Sequence, residues 1–359
     1  ETGLVAYYKM NDGSGTTIAD SSGNSNTGTL TNMTDANWVA GNVSIAGSNS
    51  ESDFSVIGIE TKEASLTITG DLTLKDNASI QSSSGEINLN GSLALENGTV
   101  DVSAGTLNLS GGSVGADGEL KLGTTLNLSD DLTVAGTLNL SDGASLSLVG
   151  NTVDLSAGKL ELAGTHSLDG ITTNANTTLQ INSSGSISRT GSGTNTVGDL
   201  VLSPAEGSSS ASLDVSDMSL TVAGTAPQFD ENTIELSNGN LEFQNSPTFS
   251  NMSSLSVSSG ELIFQDGATI SGSSFTFTSS IFKPSGTVSL VSSSDFTFDS
   301  DSSVILEGET TISDDMGSFS WPSLDLNGNT LTLASNVTDM SVEGAMSIGT
   351  GESLNSGTS

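Results

Sequence analysis

The sequence predicts an all-β protein built as a parallel β-helix, and two observations carry this prediction. Short apolar-polar-apolar units such as Leu107-Asn108-Leu109 and Leu126-Asn127-Leu128 recur along the chain, separated by Gly, Ser, Asn, Asp or Thr. This period of two is typical of short strands with one buried face. The units also recur at a longer spacing of roughly 20 residues, which indicates a repeat architecture.

Taking every third unit gives three series of starting positions. The first is 66, 87, 107, 126 and 146, the second is 72, 93, 114, 132 and 153, and the third is 80, 100, 120, 138 and 160. One repeat of this length cannot bury its apolar face alone and must stack on its neighbours. Stacking strands about 4.8 Å apart predicts a helix with three strands and about 20 residues per turn, here called a coil, and roughly 13 to 14 coils.

The predicted hand is right, because connections between parallel strands strongly favour it. The strict spacing of six residues through Leu120, Leu126, Leu132 and Leu138 is instead typical of left-handed hexapeptide helices. Elsewhere the spacing wanders from six to nine residues. We therefore keep the right-handed prediction.

The composition suits a narrow tube rather than a bulky globular core. The 359 residues are 33% hydrophobic, 4% aromatic and 14% charged, with 42 glycines, whereas ordinary domains are about 45–50% apolar and 25% charged. A tube lined by one layer of Leu, Ile, Val and Phe per face needs few apolar residues. Its turns and outward faces accommodate the Ser, Thr, Asn and Gly.

Charge and the lack of cysteine exclude several functions. The net charge is −35, with 42 acidic residues against 7 basic ones, so no nucleic acid partner is expected, because phosphate binding depends on Lys and Arg. Anionic membrane surfaces are disfavoured for the same reason, and no apolar run is long enough to predict membrane insertion. The absence of cysteine rules out disulfides and thiolate metal sites. An acidic surface fits a salty exterior or a demand for divalent cations.

Residues 1–48 form a separate N-terminal β segment. They contain an apolar-aromatic first strand, Leu4-Val5-Ala6-Tyr7-Tyr8, then the turn Asn11-Asp12-Gly13-Ser14-Gly15-Thr16, the stretch from Asp20 to Gly28, and Trp38-Val39-Ala40-Gly41. Over residues 1–45 this resembles the start of laminin-G-like, concanavalin-type jelly-roll domains of secreted bacterial proteins. The segment is too short to complete such a domain. We expect it either to cap the first coil or to add strands to a neighbouring subunit.

The rest of the chain divides into a transition over 49–65, the β-helix over 66–348 and a tail over 349–359. Between 170 and 211 the pattern loosens, which predicts irregular coils with longer turns. It resumes in three series, at 213, 234, 255, 275 and 296, at 220, 241 and 262, and at 249, 270 and 288. Phenylalanine replaces leucine at many of these later positions, and we expect the rings to stack in columns along the tube.

Chemistry-bearing residues are sparse, and we predict no enzyme. The single histidine, His166, lies next to serine and aspartate in Thr165-His166-Ser167-Leu168-Asp169, and these are the residue types of a nucleophilic triad. We expect instead a structural, solvent-facing histidine. Carboxylate pairs that glycoside hydrolysis would need are also present. They are Asp130-Asp131, Asp299 with Asp301, Asp314-Asp315, and Glu307 with Glu309.

Calcium is the one cofactor that the sequence suggests. Asp20, Asn24 and Asn26 offer the hard oxygen ligands that Ca²⁺ prefers. Asx-rich turns also occur without metal, because their side chains satisfy their own backbone. At the equivalent outward positions Asn88, Asn108 and Asn127, the sequence allows either an asparagine ladder along the stack or solvated side chains.

Residues 66–348 resemble bacterial adhesin-like parallel β-helix proteins, and units of the type Gly-Thr-Leu-Asn-Leu-Ser carry that resemblance. It implies an extracellular protein at a bacterial cell surface. Our first hypothesis is a structural rod that polymerises head to tail with copies of itself. Its end contacts would be Leu4, Val5, Ala6, Tyr7 and Tyr8 at one end and Met346 and Ile348 at the other. The alternatives are a glycan-binding adhesin, using Trp38, Tyr7, Tyr8 and bound Ca²⁺, and a polysaccharide-degrading enzyme.

Overall fold

The structure is a computed structural model of the chain. It describes residues 5–8, 15–31, 43–45, 65–74, 79–82, 85–190, 194–204, 206, 208, 210–225, 227–291, 294–314, 318–337 and 339–356. In these residues every regular element is a β-strand, and no helix is long and apolar enough to cross a membrane.

The strands up to the middle of the chain are β1 Thr17–Ile18, β2 Gly28–Thr29, β3 Val43–Ile45, β4 Ser65–Ile68, β5 Leu72–Leu74, β6 Ser79–Ser82, β7 Glu86–Leu89, β8 Leu93–Leu95, β9 Thr99–Val102, β10 Thr106–Leu109, β11 Gly112–Val114, β12 Glu119–Leu122, β13 Thr125–Leu128, β14 Leu132–Val134, β15 Thr137–Leu140, β16 Ser145–Ser147, β17 Val153–Asp154, β18 Lys159–Ser167, β19 Ile171–Thr172, β20 Thr178–Ser188, β21 Thr194–Val197 and β22 Asp199–Ser203. The remaining strands are β23 Ser212–Ser216, β24 Ser219–Val222, β25 Gln228–Asp230, β26 Thr233–Ser237, β27 Asn240–Phe243, β28 Thr248–Ser250, β29 Ser254–Ser258, β30 Glu261–Phe264, β31 Ala268–Ser271, β32 Ser274–Thr278, β33 Ile281–Pro284, β34 Gly286–Val291, β35 Asp295–Phe298, β36 Ser303–Ile305, β37 Thr310–Asp314, β38 Ser318–Trp321, β39 Leu324–Asp325, β40 Thr330–Leu333, β41 Asp339–Val342, β42 Met346–Ser347 and β43 Ser353–Ser356.

These strands stack into the long parallel sheets of a β-solenoid of about 13 coils, with paired strands about 21 residues apart. Sheet 1 contains β3, β4, β7, β10, β13 and β16, and sheet 2 contains β5, β8, β11, β14, β17 and β19. Sheet 3 runs from β6 to β35 and is common to both halves of the solenoid. Sheet 4 runs from β21 to β42 and sheet 5 from β25 to β43, while β38 and β41 form a further pair. The predicted all-β, parallel β-helix fold is confirmed, and its hand stays a prediction.

The predicted columns match the register of the sheets. In sheet 1, Leu107 pairs with Ile87 on one side and with Leu126 on the other, and Leu126 pairs in turn with Leu146. The third series follows sheet 3 from Ile80 to Leu160 without a shift. Most of these side chains are almost completely buried. The inward face of each strand therefore forms a continuous apolar core along the solenoid.

Two predicted positions are wrong by two residues. In sheet 2 the partner of Leu93 is Gly112, not Val114, and in sheet 5 the partner of Ile270 is Leu290, not Val288. Each error arose because the unit was aligned on its first large apolar residue. Glycine stands at position 112, where the neighbouring coils carry Leu93 and Leu132, because a Cβ there would lie 2.0 Å from the carbonyl oxygen of Leu93.

The solenoid changes its set of sheets between 159 and 216, and its longest strands take part in the change. β18 and β20 span 9 and 11 residues. The first half of β20 pairs with β22 and ends the earlier column, whereas its second half pairs with β23 and starts the later one. Sheet 3 is therefore continuous where sheets 1 and 2 give way to sheets 4 and 5.

Phenylalanine fills the core of the later coils. The rings of Phe277 and Phe298, partners in sheet 3, stack with centroids 4.5 Å apart, and those of Phe229 and Phe249 stack at 5.3 Å. Other neighbours meet edge to face, as Phe275 and Phe296 do at 5.5 Å. The expected columns of rings are present, with a mixture of stacked and edge-on contacts, both of which are favourable geometries.

Strand pairing also occurs near both ends of the described chain. β1 and β2 form a short antiparallel pair, and an isolated bridge joins Tyr8 to Asp20. β3 already pairs in parallel with β4, and β43 pairs with β40. The segment boundaries at 48, 65 and 348 stay predictions.

Candidate functional site

The C-terminal coil presents an unpaired edge with apolar side chains. Within the described residues, β42 pairs only with β39 and β43 pairs only with β40, so the other edge of each strand has no partner strand. The predicted contact residues Met346 and Ile348 lie exposed in this coil, together with Leu354, which the sequence prediction omitted. An exposed strand edge with apolar side chains is a template for pairing with another chain.

The predicted contact residues at the N-terminus lie beside the Asx-rich turn. Val5, Tyr7 and Tyr8 are exposed and Ala6 is half-buried, while Leu4 falls outside the described residues. The backbone N–H of Ser21 donates to the carbonyl oxygen of Tyr7 at 2.7 Å. Trp38, the third aromatic residue of the alternative glycan site, also falls outside the described residues.

The turn brings the three candidate calcium ligands together around the first strand segment. Both oxygens of Asp20 accept hydrogen bonds at 2.8 Å, Oδ1 from the backbone N–H groups of Tyr7 and Ser22, and Oδ2 from the hydroxyl of Ser22 and the N–H of Asn26. The side-chain amides of Asn24 and Asn26 donate to the carbonyl oxygen of Val5 at 3.3 and 2.6 Å. This is the backbone-satisfying geometry of an Asx turn.

These donors also set the charge state of the turn. The hydrogen bond from the Tyr7 N–H, followed by those from Ser22 and Asn26, holds the pKa of Asp20 well below its ordinary value of 3.8. Asp20 is therefore ionised throughout the neutral range. Calcium binding stays a prediction, and it would require Asp20 to exchange these donors for the cation.

His166 is not solvent-facing as predicted. Its side chain is buried beside the core, in register with Ile187, and its Nε2 lies 2.8 Å from the carbonyl oxygen of Ala163. The structure brings it together with neither Ser167 nor Asp169. The prediction failed because β18 continues to Ser167, and the alternation that buries Leu160 and Leu162 also places His166 on the inward face.

Two of the carboxylate pairs have backbone and hydroxyl partners, while Glu307 lies 3.5 Å from Lys283 and Asp315 falls outside the described residues. Asp131 accepts from the N–H and hydroxyl of Thr152 at 2.8 and 3.0 Å. Asp299 accepts from the hydroxyl of Ser302 at 2.6 Å, and this bond, with others from backbone N–H groups, lowers its pKa. Within the described residues no three His, Cys, Asp or Glu side chains are grouped closely enough to hold a metal ion.

Aspartates that link successive coils were missed in the sequence. At the entry to sheet 2, a carboxylate of one coil accepts a hydrogen bond from the backbone N–H found 21 residues later. The pairs are Asp71 with Ser92, Asp131 with Thr152, and Asp169 with Thr190. A search for aspartate with serine or threonine 21 residues later would have found them.

Comparison with protein-family models, curated proteins and solved structures finds no match for the chain. The class of protein is therefore defined by the fold alone, as a parallel β-solenoid with a short N-terminal antiparallel β segment.

Proposed function

We propose that this chain is a structural subunit of an extracellular rod or filament at a bacterial cell surface, in which copies associate head to tail. The observation that carries the proposal is the parallel stacking of the long sheets along one axis, with the apolar side chains of Met346, Ile348 and Leu354 exposed in the last described coil. A second copy would continue the ladder of main-chain hydrogen bonds by strand addition.

The geometry of such a contact favours a fibre. All the long sheets are parallel, so the two ends of a coil stack differ, and an end-to-end contact between copies is heterologous. A heterologous contact that does not close into a ring generates an open filament. The fold suits this role because each coil contacts mainly its neighbours along one axis.

Electron microscopy of Met346→Glu/Ile348→Glu beside the unaltered protein tests the proposal. Two new charges on the strand edge should abolish filaments, because a buried unpaired carboxylate is costly. Val201→Glu is the matched control, since Val201 and Met346 are both 39% exposed and Val201 lies in β22.

Filaments of the unaltered protein that persist in Val201→Glu and disappear in the double variant support the proposal. Compact monomers of the unaltered protein at high concentration would overturn it. Filaments that form equally well in the double variant would exclude this edge as the contact.

A further inference from the structure

An open groove lies on the outer surface where the solenoid changes its set of sheets. It encloses about 780 Å³, a size within the range of about 300–1,000 Å³ typical of small-molecule sites. Four successive passages of the chain contribute to it. Its polar lining includes Ser167, Asp169, Ser188, Arg189, Asp217 and Asn238.

Arg189, the single arginine of the chain, is held in this lining by a buried amide. Its Nη1 donates to Oδ1 of Asn195 at 2.6 Å, and Asn195 is only 2% exposed. The amide nitrogen of Asn195 in turn donates to the hydroxyl of Thr173 at 3.2 Å and to the carbonyl oxygen of Ile171 at 3.4 Å. The preceding coil therefore fixes the position of the guanidinium.

Most of the donors on Arg189 remain free for a ligand. A guanidinium carries five N–H donors in a planar fork. Within the described part of the chain, the bond to Asn195 is the one hydrogen bond that the Arg189 side chain makes. The remaining N–H groups are available at the wall of the groove.

Two carboxylates face the same groove in fixed orientations. Asp169 accepts from the N–H and the hydroxyl of Thr190 at 3.0 and 2.6 Å. Asp217 accepts from the side-chain amide of Asn238 at 2.6 Å. Each carboxylate can accept further hydrogen bonds, since an ionised carboxylate has about four lone-pair sites.

The charges in the groove favour an uncharged ligand. Two carboxylates outnumber one guanidinium, and the chain carries −35 overall, so an anion would be repelled. A simple cation would offer no acceptor to the N–H donors of Arg189. A ligand dense in hydroxyl groups, each both donor and acceptor, satisfies the guanidinium and the carboxylates together.

We propose that this groove binds a neutral oligosaccharide, with Arg189 donating to its hydroxyl groups and Asp169 and Asp217 accepting from them. A second groove of about 260 Å³, lined in part by Ser186 and Asp214, uses the same strands β18 and β20. Its position suits a ligand several sugar units long. The site lies away from the C-terminal coil, so this proposal is independent of filament formation.

The test is isothermal titration calorimetry with cellohexaose, chitohexaose and mannohexaose as neutral probes and hexagalacturonate as the anionic probe. We expect at least one neutral probe to bind. Arg189→Ala should weaken that binding about tenfold or more, because hydrogen bonds to a charged group are lost. Arg189→Lys should also weaken it, since lysine keeps the charge but loses the planar fork.

Lys121→Ala is the matched control, because it removes one cation from an outward position of sheet 3 that does not line the groove, where Lys121 pairs with Asp101 at 3.1 Å. It should bind like the unaltered protein, and circular dichroism should show the same fold for all variants. Failure of all three neutral probes at millimolar concentration would overturn the proposal. Tighter binding of hexagalacturonate, or equal losses in Arg189→Ala and Lys121→Ala, would overturn it as well.

Discussion

The corners between strands depend on residues that tolerate the left-handed backbone region. Four consecutive passages from sheet 3 to sheet 4, between β23 and β33, use such a residue with φ between 48° and 62°, namely Asp217, Asn238, Ser259 and Ser279. Asn and Asp adopt this region more readily than other non-glycine residues, because their short polar side chains bond locally. The side-chain amide of Asn238 indeed donates to Asp217 one coil away. The high content of small polar residues is therefore partly a requirement of the corners.

Gly105 is a corner that permits no side chain. Its φ is +98°, and a Cβ would lie 1.8 Å from the carbonyl oxygen of Gly85 in the preceding coil. We predict that Gly105→Ala destabilises the solenoid by about 3 kcal/mol or more, from backbone strain plus displacement of the neighbouring coil. Thermal unfolding followed by circular dichroism measures the effect.

The control for this prediction is Gly143→Ala. Gly143 has a similar φ of +83°, but a Cβ there meets nothing within 4 Å. Only the strain remains, and the expected cost is about 1–2 kcal/mol. Equal losses of stability in the two variants would show that contact between coils is not the cause.

Asp20 gives the N-terminal turn a dependence on pH. Because hydrogen bonds lower its pKa in the folded state, the ionised carboxylate stabilises the turn above the ordinary value of 3.8, and this stabilisation is lost as the pH falls through the lowered value. We expect the amide resonances of Tyr7, Ser22 and Asn26 to stay unchanged at pH 3.8 and to move only in stronger acid. An acid titration followed by NMR tests this.

Asp20→Ala supplies the comparison for the titration. Without the carboxylate, the three amide resonances should lack their folded positions already at neutral pH. A transition of the unaltered protein at or above pH 3.8 would contradict the hydrogen-bonding pattern assigned to Asp20.

The outward faces of the sheets use different interactions between coils. On sheet 1 the asparagines form the ladder that the sequence allowed: Asn108 donates to Asn88 at 2.6 Å and accepts from Asn127 at 2.7 Å. On sheet 4 a charged group takes that place, since Lys283 lies 3.0 Å from Glu261 and 3.5 Å from Glu307. Side chains on the outside thus reinforce the main-chain ladder.

The middle of the asparagine ladder should contribute measurably to stability. Asn108→Ala removes three side-chain hydrogen bonds between coils, to Asn88, Asn127 and Glu86, and should cost about 1–3 kcal/mol, measured by thermal unfolding. Ser147→Ala is the matched control, because Ser147 occupies the next position of the same row and makes no side-chain hydrogen bond among the described residues. Equal effects of the two changes would mean that the ladder adds nothing.

Element assignment from the sequence succeeded where apolar and polar residues alternate along a strand. It failed where a glycine or a polar residue occupies an inward position. The columns through Leu107 and Leu213 follow directly from alternating apolar residues at the coil period. Gly112 was missed because glycine carries no hydrophobic signal although it occupies a column position. The inward position of His166 was missed because a polar residue carries no hydrophobic signal, although it continues the alternation of Leu160 and Leu162.

At the scale of the whole molecule, charge opposes association. Among the described basic residues, Lys121, Lys159 and Lys283 pair with carboxylates and Arg189 bonds to Asn195. The chain as a whole carries a net charge of −35. Copies that meet end to end must therefore overcome mutual repulsion. That repulsion reaches about 30 Å at 0.01 M ionic strength and about 8 Å at 0.15 M.

We predict that sodium chloride accelerates the head-to-tail assembly proposed above. Light scattering at 0.01 M and 0.15 M ionic strength, both with a chelator, should show faster growth at the higher salt. Calcium chloride at matched ionic strength without chelator separates screening from specific calcium binding. Assembly that slows with sodium chloride would contradict the electrostatic argument.

The sequence by itself determined the class of fold, the period of the coils and most of the inward columns, because alternation and spacing are local properties that recur in every repeat. Only the tertiary structure decided how the sheets change between 159 and 216, which oxygens of Asp20 are occupied, and that Arg189 faces a groove. Those features depend on contacts between residues in different coils, such as Arg189 with Asn195 and Asp217 with Asn238. The repeat pattern places such residues in neighbouring coils, but only packing brings their side chains into contact.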